Sequence, residues 1–365
     1  MVDCLTYFKM ASDTRVVVDP HESHLLEDVP SAEYHLCAPT VQGYSFVSKS
    51  WGRFAADQLT EIRWDNNAFE HLVLPEEKKT LVKSIVHADQ RNMITDVIRG
   101  KSGGFLVVLH GKPGTGKTLT AEAAAEKAQK PLMIVSAAEL GNPLSGFGLE
   151  RMLSDTLYLC ETWDAILLID EAEVYLEARS LGDLHRNAMV SVFLRLLEYH
   201  QQVIFLTTNH ISRLDAAFQS RIAVAVKYPD LDATAREEIW TRFVTMTGAT
   251  ITDESAHNDE SAAVITKLEL QELATKEMNG RYVLNSAELK CRQIKNAVRT
   301  AQAVASEIKK PITSHLLHNV LGMIGEFSEF EGACECQKKK LGYYGGGDMG
   351  SHMQDLKARY GRIPF

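Results

Sequence analysis

The octet from Gly111 to Thr118, GKPGTGKT, has the residue types and spacing of a phosphate-binding loop. Glycines let the backbone wrap closely around phosphate oxygens and turn its N–H groups inward. Lys117 would neutralise charge on the β- and γ-phosphates, and the Thr118 hydroxyl would hold Mg²⁺. The octet therefore predicts a nucleotide phosphate site, whose candidate residues are Gly111, Lys112, Pro113, Gly114, Thr115, Gly116, Lys117, Thr118 and Leu119.

Two acidic residues, Asp170 and Glu171, follow the apolar run Ala165–Ile169 directly. A buried strand that ends in an acid places the carboxylate at the C-terminal edge of the sheet, beside a phosphate loop. We expect Asp170 to bind the Mg²⁺ shell with Thr118, and Glu171 to polarise the attacking water. The alternative is a strand that ends in solvated acids, and the upstream loop argues against it.

Asn209 and Arg221 complete the candidate catalytic residues, which also include Lys117 and Glu171. Asn209 follows the run Val203–Leu206, where an amide can orient both water and the γ-phosphate. Asn is also a common first residue of loops, so this position alone is a weak signal. Arg221 lies just before the last apolar run, and from the residues alone a solvated surface arginine is the simpler interpretation.

The elements that must position these residues form an α/β pattern. Five short, near-continuous apolar runs alternate with helical periods, as expected for strands buried on both faces of a parallel sheet. The pattern predicts a doubly wound fold. The runs are Phe105–Leu109, Leu132–Val135, Ala165–Ile169, Val203–Leu206 and Ile222–Val226, and one helix face carries Val190, Phe193, Leu194 and Leu197.

The sequence predicts three further regions on either side of the α/β domain. Residues 1–63 are β-rich, with candidate strands Arg15–Asp19, Glu33–Ala38 and Gly43–Ser48, and residues 64–230 form the α/β domain. A helix is expected within Asn67–Asp96, with Leu81, Ile85 and Val86 on one side. Residues 231–330 predict a helical domain, and residues 331–365 a flexible tail.

The helical domain is expected to contain no strand, because the β pattern stops after Pro229. Thr234 and Glu237 have the spacing of a capping box, and Gly248 ends that helix. Two later helical periods are Ile294, Val298, Ala301 and Ile308, then Leu316, Leu317, Val320 and Ile324.

Composition excludes several classes of protein. The 365 residues are 45% apolar and 24% charged. The net charge of −9 argues against a protein that binds nucleic acid over most of its surface. The apolar runs are far shorter than the ~20 residues that span a bilayer, and no signal-peptide pattern opens the chain. Of the six cysteines only Cys334 and Cys336 are close in sequence, and the absence of metal-ligand spacing favours a reducing compartment. We expect an intracellular protein, cytoplasmic or nuclear.

The ordered motifs GKPGTGKT, LLIDEAE, LTTN and LDAAFQSRI, followed by a helical domain, resemble an AAA ATPase over residues 64–325. The stretches Trp64–Leu74, Asp183–Asn187 and Arg292–Thr300 are similar to a group of AAA ATPases common in filamentous fungi. The resemblance implies a P-loop NTPase sheet with strand order 5-1-4-3-2, a C-terminal helical lid and a homo-oligomeric ring, commonly a hexamer. It also implies that Asn209 is the sensor-1 residue and that Arg221 is an arginine finger reaching a neighbouring subunit.

Three features depart from that family pattern. Relatives generally carry two arginines in the form LRPGR, whereas this chain has only Gln219-Ser220-Arg221. The pore loop of protein-translocating relatives falls near Phe147, which could grip a threaded polypeptide or pack within its own loop. The sensor-2 region is interrupted by the eleven residues Tyr282–Arg292, so Arg281 or Arg292 could take that place.

The sequence thus predicts an ATPase that uses ATP and Mg²⁺ and remodels a macromolecule, with protein as the expected substrate. The alternative is an ATP-sensing switch or adapter with weak hydrolysis, which the single finger and interrupted lid motivate. A nucleic-acid loader is disfavoured by the net charge of −9, because the one basic cluster, Lys338–Lys340, lies in the tail.

Overall fold

The structure is a computed structural model that describes residues 1–10, 38–88, 104–137, 139–140, 146–176, 184–209, 215–252, 264–275 and 290–323. The chain divides into two compact units. The first contains residues 1–111 and 117–228, and the second contains residues 112–116 together with the chain from residue 229 onward.

The N-terminal part of the first unit contains a helix and a hairpin. Helix α1 (Cys4–Met10) precedes the antiparallel strands β1 (Thr40–Ser45) and β2 (Ser50–Ala55), which a 3₁₀ turn follows at Ala56–Gln58. The sequence predicted no helix here, and it placed one strand over Gly43–Ser48, of which only the first half lies in β1. Residues 15–19 and 33–37, where the other two strands were expected, lie outside the described part of the chain.

Helix α2 (Glu76–His87) buries a stripe that differs from the predicted one. Val82, Ile85 and Val86 are buried, whereas Leu81 is 43% exposed, so its assignment to the buried face was wrong. The three buried positions have the i, i+3, i+4 spacing of one helix face, and Leu81 lies about 90° from the centre of that stripe.

A parallel five-stranded sheet forms the centre of the first unit. Its order is β4-β5-β6-β3-β7, which, counting these five strands from the N-terminal end, is the expected order 5-1-4-3-2 read in reverse. The doubly wound α/β prediction is therefore confirmed. The strands are β3 (Phe105–His110), β4 (Leu132–Ser136), β5 (Ile166–Asp170), β6 (Val203–Thr208) and β7 (Val224–Lys227).

Helices cover both faces of this sheet. They are α3 (Lys117–Ala128), α4 (Gly146–Thr162), α5 (Glu173–Leu176), α6 (Leu184–Glu198) and α7 (Ala216–Gln219). Along β3, Val107 and Leu109 pack with apolar residues of α2 and α3, while Leu106 and Val108 pack with those of α4 and α6. Because both faces are buried, the strands are near-continuous apolar runs rather than alternating patterns.

The second unit is mostly helical, and α8 packs against both α9 and α10. Its elements are α8 (Ala233–Met246), β8 (Thr250–Thr252), β9 (Val264–Thr266), α9 (Lys267–Thr275) and α10 (Cys291–Glu307), and residues 314–323 are also helical. The expectation that strands stop at Pro229 was wrong, because β8 and β9 form a parallel pair. Within the described residues, no helix has the length and apolar character needed to cross a membrane.

Two details of these helices also differ from the sequence prediction. The N-cap of α8 is Asp232, whose carboxylate accepts a hydrogen bond from the backbone N–H of Ala235 at 2.7 Å, so the capping box expected at Thr234 was misplaced by two residues. Gly248 does end this helix, with a positive φ of 85°. Ile308 follows the last turn of α10 and is half exposed rather than part of its buried face.

Candidate nucleotide-binding site

The glycine-rich loop connects β3 to α3, and its backbone has the conformation for which the glycines were expected. Gly111, Gly114 and Gly116 have φ values of 154°, 80° and 100°, a range that side chains rarely allow. A methyl group added at Gly111 would lie 2.7 Å from the carbonyl oxygen of Tyr228, so space as well as conformation requires glycine there.

Lys117 opens helix α3 and is only 8% exposed. Its ammonium Nζ donates to the carbonyl oxygen of Gly111 at 2.7 Å and to Oδ1 of Asn209 at 2.9 Å. The lysine thus lies between the start of the loop and the residue that follows β6. A helix N-terminus together with a buried ammonium group is suited to bind phosphate oxygens.

Oxygen ligands suited to Mg²⁺ meet beside this lysine. The Thr118 hydroxyl lies 3.3 Å from both carboxylate oxygens of Asp170, the last residue of β5. Among the described residues, no group of three or more His, Cys, Asp or Glu side chains is arranged to hold a metal ion. This donor set fits Mg²⁺, which usually takes one or two protein ligands and completes its shell with water and substrate phosphates.

Glu171 lies at the surface immediately after β5, in an unusual backbone conformation. Its φ of 55° is in the left-handed region, which non-glycine residues adopt only when surrounding contacts hold them there. Its backbone N–H donates to the hydroxyl of Thr207 at 2.9 Å, and that hydroxyl donates in turn to Asp170. The two acids expected from sequence therefore share one buried threonine.

Asn209 is held by its backbone as well as its side chain. Its N–H donates to Oε1 of Glu173 at 2.6 Å, while its Oδ1 accepts from Lys117. Glu173 belongs to α5, which begins two residues after Glu171. The chain after β5 is consequently hydrogen-bonded to the end of β6 at Glu171 and at Asn209, the two candidate catalytic residues that follow these strands.

Arg221 contacts its own subunit. Its guanidinium donates from Nη1 to the carbonyl oxygen of Ala217 at 2.9 Å and from Nη2 to Oε2 of Glu198 at 3.1 Å. Glu198 is the last residue of α6, and both side chains are about one-third exposed. These two hydrogen bonds link Arg221 to α7 and α6, and neither goes to a candidate catalytic residue.

Positive charge surrounds the end of β3. Burial lowers the pKa of His110, the residue before the loop, and the nearby cations Lys227, Lys78 and Lys117 lower it further. Lys78 also donates to the carbonyl oxygen of Lys227 at 2.7 Å. These cations favour an anionic ligand at the adjacent loop and keep the histidine neutral near pH 7.

The family comparison covers the segment that contains this geometry. A model of the ATPase family associated with various cellular activities (AAA) matches residues 107–230. Residues 107–230 form an AAA domain. The predicted resemblance to AAA ATPases is thus confirmed for this segment, whereas the similarity to a group common in filamentous fungi stays a prediction.

Three relatives resemble parts of this chain. CD-NTase-associated protein 6 of Escherichia coli is 29% identical over 153 residues, which cover 37% of this chain and 51% of that protein. Proteasome-activating nucleotidase 2 of Halobacterium salinarum is 29% identical over 144 residues, covering 36% of this chain and 35% of that one. Fidgetin-like protein 1 of Caenorhabditis briggsae is 30% identical over 202 residues, covering 52% and 32%. The chain spans about half, or less, of the length of each.

The tip of the glycine-rich loop, residues 112–116, belongs to the second unit. Lys112 Nζ lies 2.7 Å from Oδ2 of Asp230, and a methyl group added at Gly114 would lie 3.2 Å from Cβ of Lys290 and 3.7 Å from Cβ of Arg292. Of the two candidate sensor-2 residues, Arg292 therefore lies next to the loop. Arg281 and most of the insertion lie outside the described residues.

The side chain of one predicted residue of the AAA domain lies outside the described structure. Three other residues that contact the candidate site were not predicted from the sequence. Phe147 lies in the first turn of α4, and its side chain is outside the described part of the structure. Sequence reasoning assigned no role to Thr207, Glu173 and Glu198. Thr207 lies within the motif LTTN and Glu173 within LLIDEAE, each two residues from a candidate, whereas Glu198 lies in no motif.

Proposed function

We propose that this chain binds Mg·ATP and hydrolyses ATP as one subunit of a homo-oligomeric ring that remodels a protein. The observation that carries the proposal is the convergence of Lys117, Asn209 and the Thr118–Asp170 pair at the carboxyl ends of three neighbouring strands. Ligands of open parallel α/β sheets bind at this edge.

Each residue has a role that its chemistry supports. Lys117 and the backbone N–H groups of the loop would bind the phosphates. Thr118 and Asp170 would hold Mg²⁺, which would supply positive charge beside the phosphate oxygens. Glu171 accepts a proton from the attacking water, and the amide of Asn209 orients that water.

Arg221 completes the site of the neighbouring subunit. An arginine finger can raise turnover by ~10³–10⁵, and the side-chain hydrogen bonds of Arg221 go to Ala217 and Glu198 rather than to the candidate catalytic residues of its own chain. Its ion pair with Glu198 is partly solvated, so a neighbour's phosphate could displace the carboxylate. The ring, with six subunits as the expected number, would couple hydrolysis to movement of the lid.

The names of several relatives support a protein as the substrate. One is named a proteasome-activating nucleotidase, and further matches are to ATP-dependent zinc metalloproteases. Phe147, near the position of a translocating pore loop, is the residue we propose to contact an unfolded segment.

The alternative is an ATP-sensing switch with weak hydrolysis. The observation in its favour is that Lys290 and Arg292, in the last three residues of the insertion, lie beside Gly114 of the loop. In this case nucleotide binding would rearrange the lid while turnover stayed low.

One experiment separates the two functions. We would measure Mg²⁺-dependent ATP hydrolysis against protein concentration for the wild type and for Glu171→Gln, with nucleotide affinity measured in parallel. Specific activity that rises with concentration and is lost in Glu171→Gln, with binding retained, supports the ring ATPase. Tight binding without turnover in the wild type contradicts it and favours the switch.

A further inference from the structure

Thr207, the fifth residue of β6, is 1% exposed and contacts three consecutive residues at the end of β5. Its hydroxyl donates to Oδ1 of Asp170 and accepts from the backbone N–H of Glu171 at 2.9 Å. Its carbonyl oxygen accepts from the N–H of Ala172 at 2.9 Å. One buried residue therefore fixes both acids and the residue after them.

The hydroxyl has one hydrogen to donate, and that hydrogen is committed to the Asp170 carboxylate. Asp170 is thereby held between Thr207 on one side and the Thr118 hydroxyl, 3.3 Å away, on the other. A carboxylate fixed by two hydroxyls keeps one orientation, which is the condition for presenting oxygen atoms to a cation with strict octahedral geometry.

The same hydroxyl stabilises the backbone of Glu171. A φ of 55° is unfavourable for a glutamate, and the hydrogen bond to the N–H of Glu171 compensates for it. Threonine suits this task because its branched Cβ restricts χ1 to few rotamers, so the position of the hydroxyl is defined by the strand itself.

We propose that Thr207 is a positioning residue for hydrolysis, which sets the Asp170 carboxylate toward Mg²⁺ and the Glu171 backbone toward the attacking water through a single hydroxyl. This inference rests on the proposed ATPase function. In this proposal Thr207 acts through Asp170 and Glu171 and does not itself contact the nucleotide.

The test compares Thr207→Val, which keeps the shape and removes the hydroxyl, with Thr207→Ser, which keeps the hydroxyl. Loss of a group that orients a metal ligand typically costs about 10–100-fold in metal affinity or activity. We expect Thr207→Val to lower kcat by that factor and to raise the Mg²⁺ concentration for half-maximal turnover, with ATP affinity within about threefold of wild type. Thr207→Ser should restore kcat to within about threefold.

Thr6→Val is the matched control for loss of a buried hydroxyl. Thr6 is 3% exposed, and its hydroxyl also bonds a carboxylate, that of Asp3. Asp3 accepts from the indole of Trp163, which precedes β5, whereas Asp170 ends that strand. Thr6→Val should lower the thermal midpoint while kcat and the Mg²⁺ requirement stay at wild-type values.

The outcomes distinguish this proposal from the function on which it rests. If the wild type hydrolyses ATP and Glu171→Gln does not, the function stands and Thr207 is tested alone. Wild-type kcat in Thr207→Val, or a Thr207→Ser enzyme as impaired as Thr207→Val, would overturn the positioning role. Absence of turnover in the wild type would overturn the ATPase function itself, and with it this proposal.

Discussion

Lys117 is a charged residue that lies buried next to polar groups. A buried ammonium without hydrogen bonds would be strongly destabilising, and here the loop carbonyl of Gly111 and the amide oxygen of Asn209 accept from it. Asn209 is in turn fixed by Glu173. The cation and the amide therefore form one polar unit, so a substitution at either residue is expected to affect the other.

His200 makes the stability of the chain depend on pH. It is buried two residues after the end of α6, and burial lowers its pKa despite the opposing effect of backbone hydrogen bonds with Leu197 and Phe105. The unfolded chain takes up a proton near pH 6.5 whereas the folded chain does not. Its contribution to stability is therefore complete above about pH 7.5 and is lost as the pH falls toward its folded-state pKa.

His200→Asn should flatten that pH dependence, because the amide can replace the donor to the Leu197 carbonyl oxygen but does not titrate. We would measure the free energy of unfolding by urea denaturation at pH 7.5, 6.5 and 5.5. The same substitution at the exposed His87, whose Nδ1 contacts the carbonyl oxygen of Lys83 at 2.9 Å, is the control. Equal pH slopes in the wild type and His200→Asn would contradict the assignment.

At the scale of elements, the sheet was predictable because each strand is buried on both faces. Each of the five apolar runs corresponds to one strand of the sheet. The candidate residues follow three of these runs, so they were expected at one edge of the sheet. The contacts of Thr207, Glu173 and Glu198 were not predictable. Their partners lie 37, 36 and 23 residues away, so those pairs depend on strand register and helix packing that no local pattern encodes.

The second unit was less predictable than the sheet, because its sequence signals are short. Strands β8 and β9 have three residues each, which is too few for a period-two pattern to emerge. The cap of α8 was misplaced because Thr234 and Glu237 have the spacing of a capping box, while Asp232 makes the hydrogen bond. Helix ends depend on backbone geometry, and several nearby residues can satisfy the same composition rule.

The capping assignment predicts different effects for two neighbouring residues. Asp232→Ala removes the acceptor for the N–H of Ala235 and should lower the free energy of unfolding by about 1 kcal/mol. Thr234→Ala, in the first turn and exposed, should change it by less than about 0.5 kcal/mol. Chemical denaturation of both variants measures the difference. A larger loss in Thr234→Ala would restore the sequence-based cap.

At the scale of the whole molecule, the ion pair between Glu198 and Arg221 competes with the contact proposed between subunits. For an arginine finger to reach another subunit, its hydrogen bond to Glu198 must be exchanged for one to phosphate. Partly exposed ion pairs are worth about 0.2–1 kcal/mol. Glu198→Gln should therefore raise specific activity about 1.4-fold to fivefold at protein concentrations where assembly is incomplete.

Glu150→Gln is the control for this change in charge. Glu150 of α4 pairs with Arg195 of α6 at 2.8 Å, so its substitution removes a comparable ion pair without affecting Arg221. Specific activity should stay at the wild-type value in Glu150→Gln and should be absent in Glu198→Gln combined with Arg221→Ala. A stimulated double variant would show that Glu198 acts through another residue.

Mixing two inactive subunits tests whether the site is completed by a neighbour. Arg221→Ala keeps Glu171 but supplies no finger, and Glu171→Gln supplies the finger but not the catalytic base. Each alone should bind ATP and show no turnover. In randomly mixed rings, half of the sites retain Glu171 and half of their neighbours retain Arg221, so an equal mixture should regain about a quarter of the wild-type rate. If Arg221 acted within its own chain, every site would lack one of the two residues and the mixture would stay inactive at all ratios.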